Sequence, residues 1–123
     1  MEKRLSDAEW DVMEVLWSSD QPLTATDIAE RIPAERDWSL ATVKSLLTRL
    51  LAKRAVSPAK DGRRFLYSPA IARDPYVADE SRRFVDRLFG GKLSPLFAQL
   101  AEGETIDKDD LAAIEALLKE LRQ

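Results

Sequence analysis

Leu40, Val43, Leu46, Leu47, Leu50 and Leu51 recur at the three-and-four spacing of a buried helical stripe, while Ala41, Thr42, Lys44, Ser45, Thr48 and Arg49 fall on the opposite side. The pattern predicts an amphipathic helix, with Ser39 as its cap, that builds a core with one face and offers hydrogen-bonding groups with the other. Beyond Lys53-Arg54 the period shortens. Ala55-Val56-Ser57-Pro58-Ala59 and Arg64-Phe65-Leu66-Tyr67-Ser68 read as two short strands joined across Lys60-Asp61-Gly62-Arg63, since Asp-Gly is a favoured hairpin turn in which glycine accepts positive φ. Pro58 has no N–H to donate, so its strand is expected to be an edge, bulged or very short. Phe65 and Tyr67 alternate onto one face and are expected to pack the hairpin against the helices, with Arg64 pointing outward.

Upstream, Ser6 followed three residues later by Glu9 is a capping-box signature, and Trp10, Met13, Leu16 and Trp17 supply the stripe of a first helix. Core packing explains these tryptophans better than a ligand role. Gln21-Pro22 breaks that helix, and Thr24 caps a second one, with Leu23 placed to staple onto Ile28 and with Ile28 and Ile32 facing inward up to Pro33. A linker over residues 34–38 leads to the helix at Ser39. Two short helices joined in this way form a helix-turn-helix, and the hairpin after them makes it winged. Beyond Ser68-Pro69 the chain reads as purely helical. Asp74-Pro75 opens a helix with proline at its first position, running through Tyr76, Phe84, Val85, Leu88 and Phe89 to Gly90-Gly91. Ser94-Pro95 opens a shorter one that Gly103 stops, and Asp107 caps a last helix with Asp109 and Asp110 at the positive end of its dipole. The expected fold is mainly α with a small β-hairpin: a winged helix-turn-helix over residues 1–70 and a helical region over 71–123.

That helical region carries more apolar surface than short helices bury among themselves. Phe84, Leu88, Phe89, Leu96, Phe97, Leu100, Leu111, Ile114, Leu117, Leu118 and Leu121 are therefore expected to meet a second copy of the chain, because buried apolar area is favourable and two-fold dimers are the commonest assembly. Folding back onto the N-terminal domain is the alternative.

Charge changes the picture more than composition does. The 123 residues carry a net −3, yet residues 31–64 hold nine basic and three acidic side chains, a net +6 set on a remainder of −9. A basic surface on an acidic body is the electrostatic footprint of a DNA-binding module. The chain has no cysteine and no histidine, which removes disulfides, thiol chemistry, imidazole bases and soft metal ligands. No enzyme activity, cofactor or metal is expected. The cluster Asp107-Lys108-Asp109-Asp110 lacks the glycine and final glutamate of a calcium loop. The N-terminus shows no apolar signal region and no later run is long enough to span a bilayer, so the protein is expected to be cytoplasmic.

Lys53, Arg54, Lys60, Arg63 and Arg64 are long cations on a helix end and a wing, suited to phosphates, where each contact releases counterions. Ser39, Ala41, Thr42, Lys44, Ser45, Thr48 and Arg49 lie along the start and the outward side of the helix, suited to base edges and thymine methyls as well as phosphates. A protein–protein adaptor, using the basic face to hold an acidic partner, is the competing reading, since winged helices serve both ends.

The chain also resembles the penicillinase-repressor family, the BlaI/MecI/CopY type of winged-helix repressors. The resemblance runs through Leu5-Ser6-Asp7-Ala8-Glu9-Trp10-Asp11-Val12-Met13, then Trp38-Ser39-Leu40-Ala41-Thr42-Val43-Lys44-Ser45-Leu46-Leu47-Thr48-Arg49-Leu50, then Phe65-Leu66-Tyr67-Ser68-Pro69 and Leu88-Phe89-Gly90-Gly91. It implies a homodimeric transcriptional repressor on double-stranded DNA with an inverted-repeat operator, its C-terminal helices interlocked. By that resemblance Thr42, Lys44, Ser45, Thr48 and Arg49 face DNA, and the wing at residues 60–64 lies on the backbone. It also implies a membrane sensor protease upstream in the antibiotic-responsive branch, which cuts an Asn-Phe bond. Gln99-Leu100 stands in that place here, and the cysteine pairs of the copper-responsive branch are missing, so the inducing signal stays open.

Overall fold

A computed structural model describes residues 4–103 and 106–123, in the order α1 (Asp7–Trp17), α2 (Ala25–Arg31), a single 3₁₀ turn (Ala34–Arg36), α3 (Leu40–Ala52), β1 (Val56–Asp61), β2 (Arg64–Pro69), α4 (Arg73–Phe89), α5 (Leu93–Glu102) and α6 (Lys108–Leu121). It divides into two compact units, Met1–Ala78 and Asp79–Gln123. The expected boundary at residue 70 and this one differ by residues 71–78, which include the start of α4. Tyr76 accounts for the difference: it is buried, stacks near Trp10 and Trp17, and its hydroxyl accepts from the Leu5 backbone N–H at 2.8 Å.

The helices of the first unit start where their caps place them. Ser6 Oγ accepts from Glu9 N–H and Glu9 Oε1 accepts from Ser6 N–H, closing the expected box. Thr24 and Asp27 form a second box, in which aspartate takes the place usually given to glutamate. Val12, Met13, Leu16, Ile28, Val43, Leu46, Leu47 and Leu50 close one core between α1, α2 and α3. The end of α3 is turned sharply: Arg54 sits at φ 62, Arg54 N–H donates to Leu51 O, and Ala55 N–H donates to Leu50 O at 2.9 Å. That pair of bonds is the Schellman arrangement, here with arginine where glycine is favoured. It aims the chain directly into β1.

β1 and β2 pair antiparallel from Val56↔Pro69 to Asp61↔Arg64. The connection is therefore the two residues Gly62-Arg63, shorter than the expected four. Gly62 takes φ 66 at the first of these positions, the place where a tight hairpin that follows strand twist wants glycine. Leu23 adds a bridge on the far side of β2, with Leu23 N–H to Tyr67 O at 2.9 Å and Tyr67 N–H to Leu23 O at 2.7 Å. Because both Tyr67 polar groups point to Leu23, its partner Pro58 occupies a non-hydrogen-bonded position of the β1·β2 ladder. The missing proline N–H costs the sheet nothing, as the edge reading of this strand expects.

Other sequence expectations change as well. Leu40 is not part of the buried stripe but is 39% exposed, and Phe65 is 49% exposed while Tyr67 alone of the pair packs on the core. Leu40 sits in the first turn, on the border of the stripe, and Phe65 sits one pair from the hairpin end, beyond the reach of the helices. The last helices begin early: α4 starts at Arg73, putting Pro75 third, and α5 starts at Leu93, ahead of Ser94-Pro95. Neither proline breaks a bond, since the first four N–H groups of a helix have no intrahelical acceptor.

Asp107 caps α6 as expected, accepting from Asp110 N–H at 2.7 Å. Gly90 and Gly91, both at positive φ, end α4. No helix among the described residues is long and apolar enough to cross a membrane.

Candidate nucleic-acid interface

α3 separates its residues as its sequence period requires. Val43, Leu46, Leu47 and Leu50 are buried, while Ser39, Ala41, Lys44, Ser45, Thr48 and Arg49 are exposed and Thr42 is half-buried. Several of the outward hydroxyls are already engaged. Ser39 Oγ accepts from Thr42 N–H at 3.2 Å and lies 3.2 Å from the Thr42 hydroxyl, and the Thr48 hydroxyl donates to Lys44 O at 3.0 Å. Lys44 and Arg49 have no ion-pair partner among the described residues, so both cations stand ready for an anion.

The wing presents Lys60, Arg63 and Arg64, all exposed. Arg63 occupies the turn itself. Arg64 Nη2 pairs with Asp61 Oδ2 at 2.9 Å, across the strand ends. Such an exposed pair is worth less than about 1 kcal/mol and yields readily to a phosphate.

Lys53 departs from its expected place on the phosphate-binding face. Its ammonium donates to Glu9 Oε1 at 2.5 Å and to Arg4 O at 2.8 Å, tying the end of α3 to the start of α1. Glu9, only 1% exposed, is the one buried charged side chain among the described residues, and its Oε2 has no hydrogen-bond partner. Burial, the largest single influence, pushes this carboxyl up. The Lys53 hydrogen bond, the Ser6 backbone and hydroxyl, and the Lys53 charge together outweigh it and hold the group below its usual value. A carboxyl whose folded value is lowered adds stability above its unfolded pKa and loses it as pH falls through the folded one. The urea midpoint is therefore expected to drop as pH is lowered through and below the ordinary glutamate range, and Glu9→Gln to flatten that drop; parallel profiles for the two proteins would contradict the pairing.

The turn that sets the start of α3 is held from the side. Arg36 Nε donates to Asp11 Oδ2 at 2.6 Å and its guanidinium lies 5.2 Å from the Trp38 ring centre, while Asp37 takes the left-handed conformation at φ 50. Opposite-sign partners this far apart in sequence leave no local signal. In the second unit, Phe84, Leu88, Phe97, Leu100, Leu111, Leu117, Leu118 and Leu121 are exposed and Phe89, Leu96 and Ile114 half-buried. An apolar groove of about 540 Å³ runs between α5 and α6, lined by Leu93, Leu96, Phe97, Leu100, Ile114 and Leu118. Gln99-Leu100 lies inside α5.

The sequence profile of the family described as penicillinase repressor matches residues 5–120, nearly the whole chain. The chain belongs to the penicillinase repressor family. Its relatives include the penicillinase repressor of Bacillus licheniformis, 27% identical over 117 residues that cover 95% of this chain and 91% of the relative. The methicillin resistance regulatory protein MecI of Mammaliicoccus sciuri is 29% identical over 114 residues, covering 93% and 92%. Among solved structures, the monomeric form of Bacillus licheniformis BlaI in complex with the blaP half-operator is similar at TM-score 0.51 and 32% identity, over 59% of this chain and 88% of that one. The family is one of DNA-binding transcriptional repressors and not of enzymes. The structural likeness covers the winged helix, the part of the chain that carries the exposed polar face of α3.

Proposed function

We propose that the chain represses transcription as a homodimer bound to an inverted-repeat operator, each protomer laying α3 in a major groove and its wing on the adjoining backbone. The observation that carries this reading is the outward face of α3, where exposed Ala41, Lys44, Ser45, Thr48 and Arg49 stand on a seam of wholly buried aliphatics. Hydrogen-bonding side chains on a rigid helix can read base edges, and the cations of the wing supply the sequence-independent attraction. The apolar faces of α5 and α6 support assembly through the second unit, and two-fold symmetry of the protein would be mirrored in the operator. The family relationship extends the proposal upstream to a membrane-bound sensor protease, while Gln99-Leu100 in place of an Asn-Phe bond leaves the inducing signal open.

Two pairs of substitutions test the division of labour. Lys44→Ala with Arg49→Ala is expected to lower operator affinity by about tenfold or more and to narrow the margin over unrelated DNA. Lys60→Ala with Arg63→Ala is expected to weaken all sequences alike and to reduce the slope of log affinity against log salt by about two for each half-site bound, so about four for a dimer on the full operator. Gel-shift titrations at several salt concentrations separate the two outcomes. Unchanged operator affinity in the first pair would remove α3 as the reading element.

A further inference from the structure

We infer that Leu40 reads a thymine, its side chain meeting the 5-methyl group of that base in the major groove. The inference rests on the DNA-binding reading above and deepens it with a specificity residue that lies outside the polar face. Among the described residues up to Ala78, only two large hydrophobic side chains are exposed, Leu40 at 39% and Phe65 at 49%. Leu40 belongs to α3, which carries Lys44 and Arg49, and Phe65 belongs to the hairpin that carries Lys60, Arg63 and Arg64. Leu40 is the first residue of α3, immediately after the Ser39 cap, and Lys44 stands one turn further along the same side.

Side chains on a helix lean toward its N-terminus, so a residue in the first turn projects past the helix end. In helix-turn-helix proteins that end is the one that meets base edges. The major groove offers one apolar feature that tells bases apart, the thymine methyl. A leucine placed there gains by removing that methyl and its own exposed carbons from water, whereas polar base edges give it no partner. The neighbouring Ala41 is small and leaves the approach open. Leu40 thus supplies an apolar contact beside a cation, a pairing that selects T·A at one position of each half-site.

The test begins by enriching duplexes from a randomised pool with the full-length protein, then replacing each thymine of the enriched half-site by deoxyuracil, which removes only the methyl group. Binding is read by fluorescence anisotropy at fixed salt. One thymine per half-site is expected to be sensitive, each replacement weakening binding by about fourfold, the effect of withdrawing one buried methyl group. Leu40→Ala is expected to bind the thymine and deoxyuracil duplexes equally, and Leu40→Met to restore the preference. Circular dichroism and the urea midpoint establish that both variants fold. Absence of any sensitive thymine overturns the inference, as does a Leu40→Ala variant that keeps the full preference. Failure of the wild-type chain to enrich any duplex would instead overturn the proposed function itself, and this inference with it.

Discussion

Leu118→Glu is expected to convert the protein to a monomer and to weaken binding to a full palindromic operator by a factor of about 100 or more. Leu118 is 50% exposed on α6 and lines the apolar groove that α6 forms with α5. In a two-fold assembly each interface residue occurs twice, so the substitution places two carboxylates into an apolar contact. Arg122 stands one turn further on, at the end of α6, but pairing with it does not restore the apolar contact, and each carboxylate taken out of water costs several kcal/mol. Joining two reading heads makes the second half-site contact intramolecular, and losing the joint forfeits that gain without touching any DNA contact. Affinity for an isolated half-site should stay the same. Light scattering after size exclusion, with titrations on full and half operators, checks both parts. A variant that remains dimeric, or that binds the full operator as the wild type does, would show that α6 is not where the protomers meet.

Leu50→Ala should cost about 3 kcal/mol of stability in the first unit, a large share of the roughly 5–15 kcal/mol that holds a domain of this kind together. Leu50 is fully buried at the centre of a cluster that includes Met13, Leu16, Ile28, Val43 and Leu47. Truncation removes its transfer energy and leaves a cavity that surrounding helices fill only in part. The Leu50 side chain seats α3 on the core, next to the backbone bond from Ala55 N–H to Leu50 O where α3 turns into β1. Chemical denaturation followed by circular dichroism should show the midpoint falling, with operator binding lost at temperatures where the wild type still binds. Leu40→Ala, ten residues earlier in the same stripe of sequence, is expected to stay within about 0.5 kcal/mol of wild type. Equal costs at the two positions would contradict the seat assigned to Leu50.

The contrast between those two leucines shows what a linear pattern carries. Periodicity placed Leu40 and Leu50 in one stripe, and caps at Ser6, Thr24, Ser39 and Asp107 marked where four helices begin, because a cap and a stripe are relations among residues three or four apart. The separation of α3 into a buried aliphatic side and an exposed polar one was legible for the same reason, as was the glycine needed at the hairpin. Gly-Arg rather than a four-residue connection was not, since strand register depends on the partner strand.

From the order of residues alone came a winged helix with Thr42, Lys44, Ser45, Thr48 and Arg49 on one side of its third helix, and a C-terminal region rich in unpaired apolar positions. Tertiary packing decided everything that joins distant positions. It withdrew Lys53 from the outer surface to neutralise Glu9, 44 residues away, and set Leu23 beside Tyr67 as a third edge of the sheet. It brought Tyr76 under Leu5 and left Leu40 and Phe65 uncovered. The reason is one of range: backbone dihedrals and hydrogen bonds within a helical turn are set by near neighbours, whereas burial and charge pairing depend on which surfaces the folded chain finally brings together.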